Sequence, residues 1–207
     1  MKVILVNGSP HEHGCTDAAL RHTAQVLEQQ GIETEIFWVG NKPVSGCLGC
    51  GACRKGLGKC CIEDTVNQFT AKAAEADGFI FGSPVHYAAI SGVMGAFMDR
   101  AFYSGSACLS FKPAAGVVSC RRGGASAAFD QFNKYFTISS MPVVSSQYWN
   151  QVHGSTPEQV MQDEEGIQTL STLAKNMAWL LKCIEAGKAA GIDRPVQEKV
   201  IRTNFIR

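Results

Sequence analysis

The chain has almost no net charge. Its 207 residues carry 19 Lys and Arg against 18 Asp and Glu, a formal charge of +1. That leaves no electrostatic footprint for nucleic acid or an anionic membrane surface, and neither partner is expected. No apolar run comes near the roughly 20 residues that a membrane-crossing helix needs. The first residues enter a strand pattern without the basic and apolar regions of a signal peptide, so a cytoplasmic protein is the expectation. The loop after that strand lacks both the Rossmann pattern G-x-G-x-x-G and the P-loop's G-K-[ST]. No internal repeat and no domain boundary is visible.

Apolar content is ample, with 45% hydrophobic and 18% charged residues. This is a globular composition, long enough for one domain with a substantial core. Nine cysteines in a chain of this kind are expected as ligands or thiols rather than disulfides.

Strand and helix patterns alternate along residues 1–207. Strands are expected at Lys2–Asn7, Glu33–Val39, Gly78–Gly82, Ala114–Ser119 and Met141–Ser145. Helices are expected over Thr16–Gln30, ended by Gly31, and from Val66 to about Ala76, capped by Asp64 or Thr65. Further helices follow from the Ser91 cap to Tyr103, over Ala125 to Thr137, and over Gln159 to Ala186. The alternation predicts right-handed βαβ crossovers and a five-stranded parallel sheet with helices on both faces. Residues 41–64 have no periodicity and are rich in Cys and Gly. A tail is expected from about residue 188; from Asp193 it is polar, carries Pro195, and reads as a free end or a partner-gripping arm.

In such a sheet, ligands sit beyond the carboxyl ends of the strands. After the first strand comes Gly8-Ser9-Pro10-His11-Glu12-His13-Gly14-Cys15-Thr16, a small-residue loop running into a helix start. Unpaired N–H groups and the helix dipole favour an anion there, with hydroxyls from Ser9 and Thr16 and further donors from His11 and His13. The segment after the third strand, Pro84-Val85-His86-Tyr87, offers an aromatic and an imidazole for the face and edge of a flat ring. The one after the fourth, Ser119-Cys120-Arg121-Arg122-Gly123-Gly124, offers glycines that let backbone N–H groups approach a ligand closely. Together these make a mononucleotide site.

Several motifs then occur in one order: Val6-Asn7-Gly8-Ser9-Pro10, Cys47-x2-Cys50-x2-Cys53-x6-Cys60, Ala76-Asp77-Gly78, Gly82-Ser83-Pro84-Val85 and Asp99-Arg100. From residue 1 to about Trp149 the chain resembles the NADPH-dependent FMN reductases and the related iron–sulfur flavoproteins. That resemblance implies a flavodoxin-like fold with strand order 2-1-3-4-5. It also implies bound FMN, NAD(P)H as hydride donor, a small-molecule acceptor such as free flavin or quinone, and a homodimer or dimer of dimers. Residue by residue it assigns the phosphate to Ser9, His11, Cys15 and Thr16. The flavin ring falls to Pro84, Val85, His86 and Tyr87, and the third loop to Ser119, Gly123 and Gly124. His86 and Tyr87 are the candidates for tuning the flavin or donating a proton. Asp99-Arg100 is expected as an ion-paired structural element.

Cys47, Cys50, Cys53 and Cys60 have the compact spacing that can wrap a [4Fe–4S] cluster, with Cys61 spare. Zinc more often takes two separated CxxC pairs, and free thiols near the flavin are the remaining alternative. Free thiols, without a complete cluster in the isolated protein, are the expectation. The alternative is an iron–sulfur flavoprotein electron carrier. A different class is raised by Cys15-x5-Arg21, the spacing of a small phosphatase loop. Residues from Ala18 on favour helix, and in a helix positions six apart point away from each other.

Overall fold

The computed structural model describes residues 1–203 and 205, and positions 204, 206 and 207 of the expected tail lie outside the described residues. The strands are β1 (Lys2–Asn7), β2 (Glu33–Trp38), β3 (Gly78–His86), β4 (Ala89–Ile90), β5 (Ala114–Cys120) and β6 (Gln151–His153). The helices are α1 (Cys15–Gln29), α2 (Thr65–Ala73), α3 (Gly92–Ser104), α4 (Ser106–Leu109), α5 (Ala125–Ile138), α6 (Pro157–Met161) and α7 (Glu164–Ala189), with one 3-10 turn at Ala52–Arg54.

The sheet runs β2-β1-β3-β5-β6, all parallel, and β4 folds back antiparallel on β3. Counting the five parallel strands in chain order, this is the flavodoxin-like order 2-1-3-4-5. The fifth of them is not where the apolar pattern puts it. Met141–Ser145 contributes a single bridge, Val143 to Ala114, and the strand is Gln151–His153. A three-residue strand with polar ends carries no periodic signal, whereas the run around Val143-Val144 buries Val144 without pairing as a strand.

Alternation along each strand divides the core. Val3, Leu5, Ile80, Ala115 and Val117 face α1 and α7; Ile4, Val6, Phe79, Phe81 and Val118 face α2, α3 and α5. Covering both faces is why these strands read as unbroken apolar runs. On the second face Phe69 of α2 packs against Phe37, Phe79, Phe81 and Phe97, with ring centroids 5.2 to 6.0 Å apart. Asp64 and Ser91 cap α2 and α3 as expected, accepting from Val66 N and Met94 N. The single final helix expected over Gln159–Ala186 is two. Asp163 accepts from Gly166 N–H and starts α7 afresh, with Glu164 and Glu165 in its first turn.

Candidate functional site

Three segments from distant parts of the chain meet at the carboxyl ends of β1, β3 and β5. β1 ends in Asn7, whose Oδ1 accepts from Ser9 N–H at 3.0 Å and whose Nδ2 donates to Glu12 O at 3.0 Å. This side chain shapes the whole loop. Ser9 Oγ accepts from His11 N–H at 3.1 Å, and Trp38 of the neighbouring strand end donates from Nε1 to Ser9 O at 2.9 Å. Neither Asn7 nor Trp38 stands out in the sequence as a site residue. An Asn ahead of Gly-Ser-Pro is an Asx-turn signal that could have found the first, whereas Trp38 is brought in only by the register Asn7↔Trp38.

The loop opens onto the N-terminus of α1. Gly14 is its N-cap, and among the described residues no side chain caps it. The first intrahelical bond is Ala18 N–H to Gly14 O, 3.0 Å, so the N–H groups of Cys15, Thr16 and Asp17 have no acceptor within the helix. Ser9 and Thr16 are buried beside this end, and Thr16 Oγ1 lies 2.9 Å from Ser119 Oγ of β5. Gly8 is needed for packing: a Cβ there would lie 2.4 Å from Met94 Sδ.

Of the segment read as a ring-contacting loop, Pro84, Val85 and His86 belong to β3. Only Tyr87 and Ala88 form the turn into β4, with φ of 50° and 59° and the pair His86↔Ala89 closing it. Two successive left-handed residues make a type I′ turn, normally the place of Asn-Gly; with Tyr and Ala the backbone is strained by about 1–3 kcal/mol per residue. The β3–β4 pairing holds the turn against that strain, with His86 and Tyr87 both exposed and Tyr87 completely so. Ser91 ties this segment to the first loop, donating from Oγ to Gly8 O at 2.8 Å while its N–H donates to Ser83 Oγ at 2.9 Å. The third segment closes against the second: Gly124 has φ +89°, and a Cβ on it would lie 2.8 Å from Ala88 Cα.

Two assigned side chains stand differently. Cys15 turns its Sγ toward Gly154 O, 3.8 Å away, against the α7 face of the core, and burial pushes its thiol pKa up. Its N–H, not its sulfur, belongs to the helix end. His11 is exposed and meets the loop through its backbone. Arg21 pairs with Asp17, Nε to Oδ2 2.7 Å, and so does not fold back on Cys15 as a phosphatase loop requires. His13 Nδ1 lies 3.3 Å from the same Asp17 oxygen.

The residues present fit a flavin mononucleotide: an uncapped helix end with the Ser9 and Thr16 hydroxyls beside it gives a single phosphate a seat. The exposed His86–Tyr87 turn stands beside the third loop.

The cysteine loop builds a second feature on α3. Cys47, Cys50, Cys53, Cys60 and Cys61 all line one cavity of about 390 Å³, walled also by Leu48, Ile62, Arg100 and Tyr103. Asn67 of α2 fixes its far end, accepting from Cys60 N–H at 3.1 Å and donating to Cys60 O at 3.0 Å. Arg54 lies over the Tyr103 ring at 4.7 Å, and Cys53 Sγ is 3.8 Å from Tyr103 O. Cys50 and Cys61 approach to 3.5 Å between sulfurs. The Ala52 N–H and the Cys61 thiol pull the Cys50 pKa down, and the same contact with Cys50 pushes Cys61 up.

Among the described residues no three His, Cys, Asp or Glu side chains converge as ligands of one metal ion. A mononuclear tetrahedral site needs thiolates about 2.3 Å from a common point. A cube takes one thiolate at each corner, so a shared cavity lined by soft donors suits it. By donor chemistry the loop fits the cluster. The expected ion pairing of Asp99-Arg100 is split: Arg100 pairs with Asp64, while Asp99 accepts from Tyr135 OH at 2.6 Å.

A doubly wound sheet whose first βα turn presents an uncapped helix end, met by two further loops at the switch point, has the flavodoxin-like architecture. Residues 1–155 match the family described as NADPH-dependent FMN reductase. The chain is similar to an iron–sulfur flavoprotein of Methanocaldococcus jannaschii, 33% identical over 196 residues covering 89% of this chain and all of that one. Among solved structures it resembles a flavodoxin from the domain Archaea, with a TM-score of 0.58 and 16% identity over 88% of this chain and 99% of that one. It also resembles the rubredoxin oxygen:oxidoreductase of Desulfovibrio gigas, with a TM-score of 0.62 and 16% identity over 89% of this chain but only 37% of that one. The chain thus spans little more than a third of that enzyme and shares its fold alone. The chain belongs to the NADPH-dependent FMN reductase family and is an oxidoreductase of that class. Among the described residues no helix is long and apolar enough to cross a membrane.

Proposed function

We propose that the chain is an FMN-dependent oxidoreductase that takes hydride from NAD(P)H and passes electrons to a small-molecule acceptor such as free flavin or quinone. The observation that carries this reading is the uncapped N-terminus of α1 with Ser9 and Thr16 buried beside it. When bound, the flavin supplies the hydride-accepting ring and the capacity to hand on electrons. The protein's part is to hold and orient it. The N–H groups of Cys15, Thr16 and Asp17 with the Ser9 and Thr16 hydroxyls bind the phosphate. The strained Tyr87–Ala88 turn, braced by Gly124, fixes the ring's edge. His86 and Tyr87, open to solvent, are the side chains able to deliver a proton beside it.

Cofactor released by heat should chromatograph as FMN and not FAD. Ser9→Ala with Thr16→Ala should weaken FMN binding by about a hundredfold or more, each lost charge-assisted hydrogen bond being worth about 1.5–3 kcal/mol. A colourless protein that cannot be reconstituted with FMN would refute the reading.

A second reading is favoured by the five thiols on one cavity and by the iron–sulfur flavoprotein name of the M. jannaschii relative. In it, Cys47, Cys50, Cys53 and Cys60 hold a [4Fe–4S] cluster, which supplies one-electron capacity beside the flavin. The relative's name weighs against the free thiols expected from spacing alone. About four iron and four acid-labile sulfide per chain, lost in Cys50→Ser, would establish it. Free thiols without iron in anaerobically prepared protein would remove it.

A further inference from the structure

Arg100 heads the fully buried side chains by size, 1% exposed, and it lies behind the cysteine loop rather than in the sheet core. Nη1 donates to Asp64 Oδ2 at 2.6 Å and to Ser45 O at 3.4 Å. Nη2 donates to Asp64 Oδ1 and to Ile62 O, both at 2.9 Å. Nε donates to Cys60 Sγ at 3.2 Å. A guanidinium keeps its proton at any working pH, so Arg100 is a permanent cation held by these bonds.

A buried charge needs a counter-charge, and the Asp64 fork provides one. The ion pair leaves Nε–H to spare, and that N–H is aimed at a sulfur and not at a carbonyl. The cation therefore stands directly behind one thiol of the set.

We propose that Arg100 tunes the reduction potential of the iron–sulfur cluster assigned to this loop, through its Nε–H bond to Cys60. The inference rests on the second reading above. Reduction adds one electron to the cluster and its thiolates. A cationic donor on one ligand sulfur stabilises that added negative charge more than the oxidised state, and raises the potential. Asp64, on the other side of the guanidinium, partly cancels the effect. The two partners of one ion pair therefore act on the potential with opposite signs. A role confined to clamping the loop would not separate them.

The test is a dithionite titration of the anaerobically purified holoprotein, with iron and sulfide counted first. Arg100→Gln should lower the cluster potential by at least a tenfold change in the reduced-to-oxidised ratio at fixed poise, about 59 mV for a one-electron couple. Arg100→Lys, which keeps the charge and loses the fork, should fall between Arg100→Gln and wild type. Asp64→Asn keeps the acceptor that caps α2 and uncovers the cation, and should raise the potential. A full cluster whose potential is unchanged in Arg100→Gln, or that moves the same way in both variants, overturns the inference and leaves the cluster reading intact. If Arg100→Gln does not fold, an unchanged or lowered potential in Asp64→Asn overturns it alone. Wild-type protein without iron and sulfide overturns the reading and the inference with it.

Discussion

Gly124 sits where the third loop touches the turn that carries His86 and Tyr87. Its φ of +89° and the 2.8 Å from a would-be Cβ to Ala88 Cα leave no room for a side chain. Gly124→Ala should cost about 1–2 kcal/mol in left-handed strain alone. Spent on moving the loop, that is about a tenfold loss of FMN affinity, read by fluorescence titration of the apoprotein. Unchanged affinity would show that the two loops do not brace each other. The placing of Ser9, Thr16 and Gly124 beside the strand ends is legible, because the small-residue loop and the Gly-Gly pair directly follow apolar strand patterns. The setting of Cys15 is not. The pattern starts the helix at Thr16, one residue late, and which way the sulfur turns depends on Gly154, far along the chain. Asn7 lay hidden because strand and loop patterns do not distinguish a shaping residue from an ordinary strand end.

Helix α1 packs on α7, and His22 stands between them. Its Nε2 lies 2.8 Å from Ser171 Oγ, which in turn lies 2.9 Å from Ile167 O. Burial lowers its pKa from 6.5. The unfolded chain therefore takes up the proton first as pH falls. Stability is lost from about pH 6.5 downward, until the lowered folded pKa is passed. Urea unfolding at pH 7.5 and 5.5 should show wild type losing stability that His22→Gln does not lose; equal losses would contradict the half-buried neutral imidazole.

Elements with strong periodicity or clear caps were readable, including α1 to within a residue and the Asp64 and Ser91 starts. The apolar pattern ends β3 at Gly82, because Ser83 and Pro84 look like a loop. They continue as strand because β5 pairs alongside them, Pro84↔Ser119 being the last pair, and a strand end tolerates the missing N–H. β6 exists through its own pairing with the other side of β5, Val118↔Gln151 to Cys120↔His153, which no local pattern announces.

At the scale of the molecule, the described residues after α7 run on without helix or strand and expose Val196, Val200, Ile201 and Phe205. Apolar side chains spaced along an open arm suit a second copy of the chain. Sedimentation should give at least twice the 22.2 kDa chain mass, and truncation before Asp193 should lower it. A monomeric wild type would contradict the arm's role.

The central claim is that this sheet holds an FMN which NAD(P)H reduces. Anaerobic titration of the yellow holoprotein with NADPH, and in parallel NADH, followed at the flavin absorption band, tests it most directly. The band should bleach with about one equivalent of at least one nicotinamide and return when quinone or free flavin is added. A flavin that dithionite bleaches but neither nicotinamide touches would contradict the account and make the chain an electron carrier instead.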